Sequence, residues 1–583
     1  MADKILVAVA WPYANGHLHV GHVAGAYLPA DIFARYQRLR GNDILMVSGS
    51  DCHGTPITLQ AAREGVAPQD VIRRYHASFL ETFRTLGISF DLFTQTYTVN
   101  HYAATRTFFL KLLDNGCLYK KTGLASYSES LERFLPDRFV EGICPNCQYT
   151  KARGDQCDNC GTLHEPSELG KPHSTLDGGP VTFRETEHFI LDLPKLEPVL
   201  RSWLEGRDRS YWRNNTLQFT FNWLRKGLQG RAITRDLEWG VPVPVDSEAF
   251  KDKRIYVWFD AVIGYYSASI EWAERNGTPD RWREWWENPD ARSYYFIGKD
   301  NIPFHTIIWP AMLLGYDGLT LPYDIPANEF YNLEGEKMST SRDWALWAKD
   351  VQTQFAPDAI RYYLAASAPE GRDTSWYWSE FVRRNNDELV ATWGNLVHRV
   401  LNVAHRHFGR VPEAGTLEDA DLNIMAAGAE CFDKVGAFLD SVQIKAALQE
   451  ALSLAQRTNQ YVSEQEPWKL VKTNPARAQT VLHTGLQLLD YLKVLLSPFL
   501  PFSSQQLHEM LGYSGTIAPQ PTLAEALDPD RRVRQVLTGQ YETVPMWKPS
   551  PIPVGQVVSA PSMLFKKLDS PEPSDRLSTP TKQ

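Results

Sequence analysis

The sequence predicts an α/β protein: a doubly wound, Rossmann-like parallel sheet that carries an inserted cysteine module and is followed by an α-helical bundle. Three observations predict this class. Short apolar runs alternate with segments of helical period in the first 115 residues, which is typical of parallel strands joined by helices. Four cysteines then form two close Cys-x₂-Cys pairs, and a long stretch of helical period runs from Glu380 to about Met510.

The elements follow one another in a regular order. The apolar run Ile5–Ala10 is the predicted first strand, and a helix is predicted from about Val20 to Arg40. A second strand is predicted over Asp43–Val47 and a further helix over Asp70–Leu86. The rest of the sheet is predicted at Arg254–Trp258 and Tyr294–Ile297. Ligands bind at the carboxyl ends of parallel strands, so residues just after these ends are candidates for a site.

Six parts are expected along the 583 residues. They are the two halves of the sheet domain at 1–115 and 236–326, the insertion at 116–235, a connecting region at 327–380, the helical domain at 381–545, and an extended tail at 546–583 with a disordered end. A signal-peptide pattern and an apolar run of membrane-spanning length are both missing, so we expect a cytoplasmic protein. The net charge of -9 argues mildly against a surface that binds nucleic acid everywhere, but a local basic groove stays possible.

Two short stretches carry the strongest chemical signal. His19-Val20-Gly21-His22 follows a strand and opens a helix, where unpaired backbone N–H groups and the helix dipole favour phosphate. Its imidazoles share one helix face, and Gly21 allows a base or ribose to approach closely. The second stretch, Lys337-Met338-Ser339-Thr340-Ser341, places a lysine in a loop suited to closing over a polyphosphate. Taken singly, each stretch is also compatible with an ordinary surface helix or a solvated turn.

The cysteine pairs predict a metal site. Cys144, Cys147, Cys157 and Cys160 form two tight knuckles, and four thiolates fill the tetrahedral shell of one Zn²⁺. Because no coordination position stays open for catalysis, we expect one structural zinc that holds a small module together. Two disulfides are the alternative, but disulfides are rare in the reducing cytoplasm.

Together and in this order, the two stretches resemble the paired motifs of class I aminoacyl-tRNA synthetases. Further runs resemble the methionyl-tRNA synthetase family from about residue 4 to 567: Ala10-Trp11-Pro12-Tyr13-Ala14-Asn15-Gly16, Tyr256–Tyr265, Gly298-Lys299-Asp300 through His305, and Glu466-Pro467-Trp468. The resemblance implies a ligase that converts methionine and Mg-ATP to methionyl-adenylate and pyrophosphate. The methionyl group then passes to the 3′ end of tRNA(Met), for translation initiation and elongation.

The resemblance also implies roles for individual residues. Catalytic and ATP-binding roles fall on His19, Gly21, His22, Arg235, Lys337, Ser339 and Thr340, of which His19, His22, Arg235 and Lys337 are catalytic. Methionine-binding roles fall on Tyr13, Asp51, Trp258, Ala261, Tyr265 and His305, with Asp51 holding the amino group. Anticodon-binding roles fall on Asn395, Arg399 and Trp468. Without the resemblance, core packing is the alternative for Trp258 and Tyr265, and a solvated Asn395/Arg399 helix face with a packed Trp468 explains the anticodon positions at least as well.

The chain departs from the family pattern at several positions. Thr340 replaces the second loop lysine, and our hypothesis is that Arg342 supplies the missing charge; an unchanged pyrophosphate-exchange rate in Arg342→Ala would refute it. Trp11 stands where leucine is common and Val262 where proline is common, which leaves the shape of the pocket open. The dimerising C-terminal OB-fold of some relatives is not found here, so a monomer is expected.

Three other functions share parts of this pattern. A non-catalytic tRNA-binding paralogue is disfavoured because His19, His22, Asp51 and Lys337 are all present. A small-metabolite adenylyltransferase needs neither the cysteine module nor a long helical domain. Activation of valine, leucine or isoleucine is disfavoured because those enzymes carry a large editing insertion, which such small apolar substrates demand.

Overall fold

The computed structural model describes residues 2–136, 139–154, 157, 159–160, 164, 166–338, 344–541 and 545–569. Within these residues the largest sheet has seven strands, in the spatial order Ala327–Asn328, Arg292–Gly298, Lys4–Val9, Asp43–Ser50, Leu92–Gln95, Val533–Thr538 and Thr522–Leu527. The first five are parallel, and the last two form an antiparallel hairpin added to the edge. The predicted parallel sheet is confirmed, including the predicted strands near residues 5, 43 and 294.

Helices cover both faces of this sheet. Their bounds are Val20–His22, Val23–Tyr27, Leu28–Leu39, Thr55–Glu64, Pro68–Leu86, Val99–Asp114, Val257–Arg275, Arg283–Trp286, Lys299–Asn301, Phe304–Ile308 and Trp309–Tyr316. Alternate strand residues belong to different cores: Val7 and Met46 pack with Phe33, whereas Leu6 and Leu45 lie on the other face. This alternation explains why the strands read as continuous apolar runs. The two predicted helices are confirmed, the first with a π-helical segment at Val23–Tyr27.

Two features differ from the prediction. The predicted strand at Arg254–Trp258 is wrong, because Arg254–Ile255 pairs with Thr234–Arg235 in a separate two-stranded sheet and the helix Val257–Arg275 begins at once. A short apolar run does not distinguish a buried strand from a buried helix start. The hairpin at the sheet edge was not predicted, since its outer strand is mostly exposed and has no apolar run.

The insertion is built on a long antiparallel ribbon, Leu118–Ser128 paired with Val181–Leu191. The cysteine module lies beyond its far end. Its smaller elements are Arg133–Phe134, Val140–Ile143, Ala152–Arg153, Pro166–Glu168 and Gly170–Ser174. The chain then returns to the sheet domain through Leu193–Glu205, Asn214–Lys226, Arg231–Ala232 and Thr234–Arg235.

The second half of the chain is almost entirely helical, which confirms the predicted bundle. The strands Tyr331–Leu333 and Thr374–Trp376 pair in parallel, and the helices Ala348–Gln354 and Pro357–Ala366 lie between them in the chain. The helices that follow are Trp378–Arg384, Asn385–Gly394, Asn395–His407, Asp419–Asp440, Ile444–Gln465, Pro467–Thr473, Pro475–Leu496 and Pro501–Met510. Leu396 and Leu448 share one continuous core with Val7 of the sheet. In the described part of the chain, no helix has the length and apolar character needed to cross a membrane.

Candidate active site

The two signature stretches are brought together in space. Val20 donates its backbone N–H to the carbonyl of Leu346 at 2.9 Å, and Ala348 donates to Leu18 at 2.9 Å. Met338 packs so closely over Gly21 that a Cβ at this glycine would lie 2.8 Å from the Met338 methyl carbon. A larger residue at position 21 would have to displace the end of the Met338 side chain. Ser339, Thr340 and Arg342 lie outside the described residues.

His19 and His22 form a stacked pair at the start of the first helix. Their ring centroids are 3.8 Å apart, and the backbone N–H of His19 donates to His22 Nδ1 at 3.2 Å. Burial lowers the pKa of His22 to about 4, and burial followed by the nearby His22 also lowers the pKa of His19. Both rings are therefore neutral at pH 7, and each offers one N–H donor rather than a positive charge.

Cationic side chains are supplied by other elements. Lys337 is exposed, with its Nζ 4.2 Å from the ring centre of Phe330. Arg235 has its guanidinium carbon 4.3 Å from the ring centre of Tyr256, just before the helix Val257–Arg275, and donates to the carbonyls of Thr234 and Ala232. These two cations come from the lysine loop and from the end of the insertion.

Tyr13 and Asp51 meet where two neighbouring parallel strands end. They form a parallel β-bridge, in which Ala14 donates its N–H to the Asp51 carbonyl at 2.8 Å. Asp51 is only 3% exposed. Burial, and then the nearby carboxylate of Asp260, raise the pKa of Asp51 well above its usual range. A buried acid of this kind is best satisfied by a cation at hydrogen-bond distance, such as an α-ammonium group.

The predicted side-chain pocket is assembled from one helix and one facing segment. Trp258, Ala261 and Tyr265 lie three and four residues apart on the helix Val257–Arg275, along one face. The Tyr265 hydroxyl is 2.8 Å from His305 Nε2, and His305 Nδ1 is 2.9 Å from the carbonyl of Asn301. Because Nδ1 faces a carbonyl, it carries the ring proton, so Nε2 accepts from the Tyr265 hydroxyl. Burial lowers the pKa of His305 to about 4, which keeps this ring neutral.

The three predicted anticodon-binding residues lie on one surface of the helical domain. Asn395 and Arg399 are one turn apart on the helix Asn395–His407. The Arg399 guanidinium carbon lies 4.8 Å from the ring centre of Trp468, and Arg399 also donates to Ser463 at 3.1 Å. Asn395 is exposed, whereas Trp468 is half-buried against the core. A cation stacked on a partly open indole offers both a stacking surface and hydrogen-bond donors to a base.

The four cysteines converge on one point. All four sulfurs lie within 4.8 Å of one another, and the pairs Cys144–Cys160 and Cys147–Cys157 are 3.8 and 3.6 Å apart. A tetrahedral site with Zn–S bonds of about 2.3 Å has sulfur–sulfur edges of about 3.8 Å. Disulfides would need S–S contacts of about 2.05 Å, so this arrangement fits a four-thiolate metal site and not the disulfide alternative.

Comparison with known proteins decides the family. A model described as tRNA synthetases class I (M) matches residues 5–401, and one described as anticodon binding domain of methionyl tRNA ligase matches 411–546. The chain belongs to the methionine–tRNA ligase family. This confirms the resemblance inferred from the sequence.

Relatives in this family match along nearly their whole length. The chain is 67% identical to the methionine–tRNA ligase of Roseiflexus sp. (strain RS-1), with 99% of this chain and 98% of that protein covered. It is 68% identical to that of Roseiflexus castenholzii (strain DSM 13941 / HLO8), with 98% and 97% covered. A solved structure of Mycobacterium tuberculosis methionyl-tRNA synthetase in complex with methionyl-adenylate superposes with a TM-score of 0.75 at 25% identity, covering 97% of this chain and all of that one.

Two glycines explain how Trp11 fits at a position where leucine is common in the methionine–tRNA ligase family. Its indole is sandwiched so tightly that a Cβ on Gly49 would lie 2.1 Å from the ring, and one on Gly264 would lie 2.6 Å from it. The Trp11 and Tyr265 ring centroids are 6.2 Å apart in an edge-to-face arrangement. The large side chain therefore fits because its neighbours have none.

Sequence reasoning missed three buried residues beside this pocket. His53, His101 and Asp260 form a hydrogen-bonded cluster next to Asp51. Part of the signal was available, since His53 directly follows a predicted strand end and Asp260 lies in a family-like run. Their association was not visible, because it depends on three elements that are far apart in the chain.

Proposed function

We propose that the chain activates methionine with ATP to methionyl-adenylate and pyrophosphate, and then transfers the methionyl group to the 3′ end of tRNA(Met), for translation initiation and elongation. One observation carries the proposal. The buried Asp51 follows the end of one parallel strand, and the stretch His19–His22, which packs against Met338 of the lysine stretch, follows the end of the neighbouring strand. An amino acid and a nucleotide held at these adjacent ends have their reacting groups close together.

The first step needs no protein nucleophile, because the methionine carboxylate attacks the α-phosphorus of ATP. The protein must position both substrates and stabilise the charge that develops on the phosphates. In this proposal the neutral His19 and His22 donate hydrogen bonds to phosphate oxygens, and Gly21 admits the adenosine when the Met338 side chain that packs over it moves aside. Lys337 and Arg235 supply positive charge, and the hydroxyl groups of Ser339 and Thr340 supply further hydrogen-bond donors. Mg²⁺ enters with ATP and neutralises part of the phosphate charge.

Selection of methionine rests on two separate contacts. Asp51 pairs with the α-ammonium group, and Tyr13, Trp258, Ala261, Tyr265 and His305 enclose the side chain. A flexible thioether gains from contact with aromatic rings. The neutral His305, which accepts from Tyr265, fixes the orientation of that hydroxyl without adding a charge that a thioether would not balance.

The proposed function also includes binding of the tRNA anticodon and of one structural metal ion. Trp468 stacks on an anticodon base while Asn395 and Arg399 hydrogen-bond to base edges. One structural Zn²⁺ is held by Cys144, Cys147, Cys157 and Cys160, and their sulfur geometry supports this assignment. A monomer, a cytoplasmic location and the six-part domain division are also proposed; a light-scattering mass near twice 66.3 kDa would refute the monomer.

The variant Asp51→Asn tests the amino-acid site. The amide keeps the shape but removes the charge, and loss of one partner of a buried charge pair costs about 2–5 kcal/mol, which is a rise in methionine KM of roughly 30-fold or more. The KM for ATP should stay near the wild-type value in ATP–pyrophosphate exchange. An unchanged methionine KM would contradict the assignment of Asp51.

A further inference from the structure

A fully buried polar cluster lies beside the proposed methionine site, and the proposed reaction does not use it. Asp260 is 0% exposed, as is His53, and His101 is 1% exposed. One carboxylate oxygen of Asp260 lies 2.6 Å from His53 Nδ1, and the other is hydrogen-bonded to His101 Nε2. Buried charged groups are costly unless they are paired, so this cluster needs an explanation.

The ionisation of Asp260 decides which groups of the cluster donate hydrogen bonds. Burial alone would raise the pKa of Asp260, but the adjacent imidazoles of His53 and His101 hold it at about 2, so the carboxylate is ionised and accepts from both rings. The remaining ring nitrogens are also engaged: His53 Nε2 lies 3.1 Å from the Tyr102 hydroxyl, and His101 Nδ1 lies 2.8 Å from the Ser267 hydroxyl. All four ring nitrogens and both carboxylate oxygens of the cluster therefore have hydrogen-bond partners.

The cluster connects the two parts of the methionine site. His53 belongs to the same turn as Asp51, and its backbone N–H donates to Asp51 Oδ1 at 3.2 Å. Asp260 lies on the helix Val257–Arg275, between Trp258 and Ala261. The His53–Asp260 bond therefore ties the residue proposed to hold the amino group to the helix proposed to hold the side chain.

His101 gives this connection a third support. It belongs to the helix Val99–Asp114, which packs along the helix Val257–Arg275. Its bond to Asp260 fixes the carboxylate from the side opposite His53, so that neither oxygen is free to rotate. The Trp11 ring centroid lies 6.5 Å from that of His101, which places the cluster against a pocket wall as well.

We propose that Asp260 is a positioning residue for methionine binding, which acts through His53 and His101 to hold the Asp51 turn against the helix of Trp258, Ala261 and Tyr265. The proposal rests on the proposed function of this site, and it assigns to Asp260 no contact with the substrate. A purely structural role would change the stability of the whole domain. A positioning role predicts instead a loss that is confined to methionine.

The test compares KM values in ATP–pyrophosphate exchange. Asp260→Asn turns one acceptor into a donor that faces an imidazole N–H, so we expect methionine KM to rise about tenfold or more, with ATP KM changed less than about twofold. Equal rises for both substrates, or no rise, would overturn the proposal. Wild-type exchange with methionine is measured alongside, so a failure of the proposed function is recognised separately.

Matched histidine variants give a second readout that does not depend on Asp260→Asn folding. An asparagine amide can place its N–H near the Nδ1 position, and a glutamine amide near the Nε2 position. His53→Asn and His101→Gln therefore keep a donor for Asp260, whereas His53→Leu and His101→Leu remove it. We expect methionine KM to stay within about threefold of the wild-type value in the amide variants and to rise further in the leucine variants. The same KM in both members of each pair would overturn the proposal.

A double-mutant cycle tests the connection to Asp51 directly. Equilibrium methionine binding is measured for Asp51→Asn with and without Asp260→Asn. If Asp260 acts through the Asp51 turn, the second substitution should weaken binding less than about twofold once the Asp51 charge is gone. A tenfold effect in both backgrounds would show independent action and contradict the proposal.

Discussion

The substitution Gly264→Ala tests the explanation for Trp11. The added methyl carbon would lie 2.6 Å from two indole carbons and 3.1 Å from Nε1. Carbon atoms in contact prefer about 3.5–4.0 Å, so the ring must move by about 1 Å. It cannot retreat toward the neighbouring strand, because Gly49 already lies in contact there. We expect it to move toward Tyr265, whose ring centroid lies 6.2 Å away, and toward the proposed methionine pocket.

The expected effect is a loss of both stability and affinity. Overpacking of this kind costs about 1–3 kcal/mol of unfolding free energy. If about 1.4 kcal/mol of the strain is relieved by the ring entering the pocket, methionine KM rises about tenfold while ATP KM stays the same. Thermal unfolding and ATP–pyrophosphate exchange measure the two quantities.

Trp11→Leu provides the matched control. In the double variant Trp11→Leu/Gly264→Ala the indole is gone, so the methyl group should no longer destabilise the protein. A Gly264→Ala protein with wild-type melting temperature and wild-type methionine KM would refute the packing argument. So would a double variant in which the two effects simply add.

Three further predictions use other parts of the molecule. Trp468→Ala should lower the kcat/KM for tRNA(Met) about 5- to 150-fold, because a stacked base contributes about 1–3 kcal/mol. Trp468→Phe should have little effect on this kcat/KM, and neither variant should change pyrophosphate exchange; an equal loss in both variants would contradict stacking. Cys144→Ser should reduce bound zinc measured by mass spectrometry from one per chain and lower the melting temperature, whereas Cys117→Ser should retain the metal. Burial lowers the pKa of His76 to about 4 from its usual 6.5, so the unfolded chain binds more protons between these values and stability falls as pH drops through this window. His76→Gln should therefore show a smaller decrease in stability between pH 6.5 and 4 than the wild type, and an unchanged pH dependence would count against it.

Local sequence pattern predicted the elements that form on their own. The apolar runs at Lys4–Val9 and Asp43–Ser50 are buried on both faces, so they appear in the sequence as uninterrupted hydrophobic segments. The helical domain was predicted equally well, because helices such as Asn395–His407 bury one periodic face. The cysteine cluster was predicted because two Cys-x₂-Cys pairs already bring sulfurs together locally.

What the sequence did not predict depends on long-range pairing. The strand Thr522–Leu527 is mostly exposed, and it belongs to the sheet only because its partner Val533–Thr538 pairs with Leu92–Gln95. The His53–Asp260 bond spans 207 positions of the chain. Neither pairing leaves a local sequence pattern, because each residue taken alone looks like an ordinary polar or surface residue.

The resemblance brought together residues that are far apart in the chain, but it did not reveal their charge state or packing. Tyr13 and Asp51 are adjacent in the structure, as are Tyr265 and His305, although they come from separate parts of the sequence. The sequence did not reveal that His19, His22 and His305 are neutral, since this follows from burial. It also could not show how Trp11 fits, which depends on the glycines that face it.

The most direct test of the proposed function is amino-acid-dependent ATP–pyrophosphate exchange, measured with the purified zinc-bound protein over the twenty amino acids. We predict exchange with methionine and none above background with the other nineteen. Exchange with another amino acid in place of methionine would contradict the pocket assignment. No exchange at all, from protein that is folded and carries its metal, would contradict the proposed catalytic function and favour the non-catalytic tRNA-binding alternative.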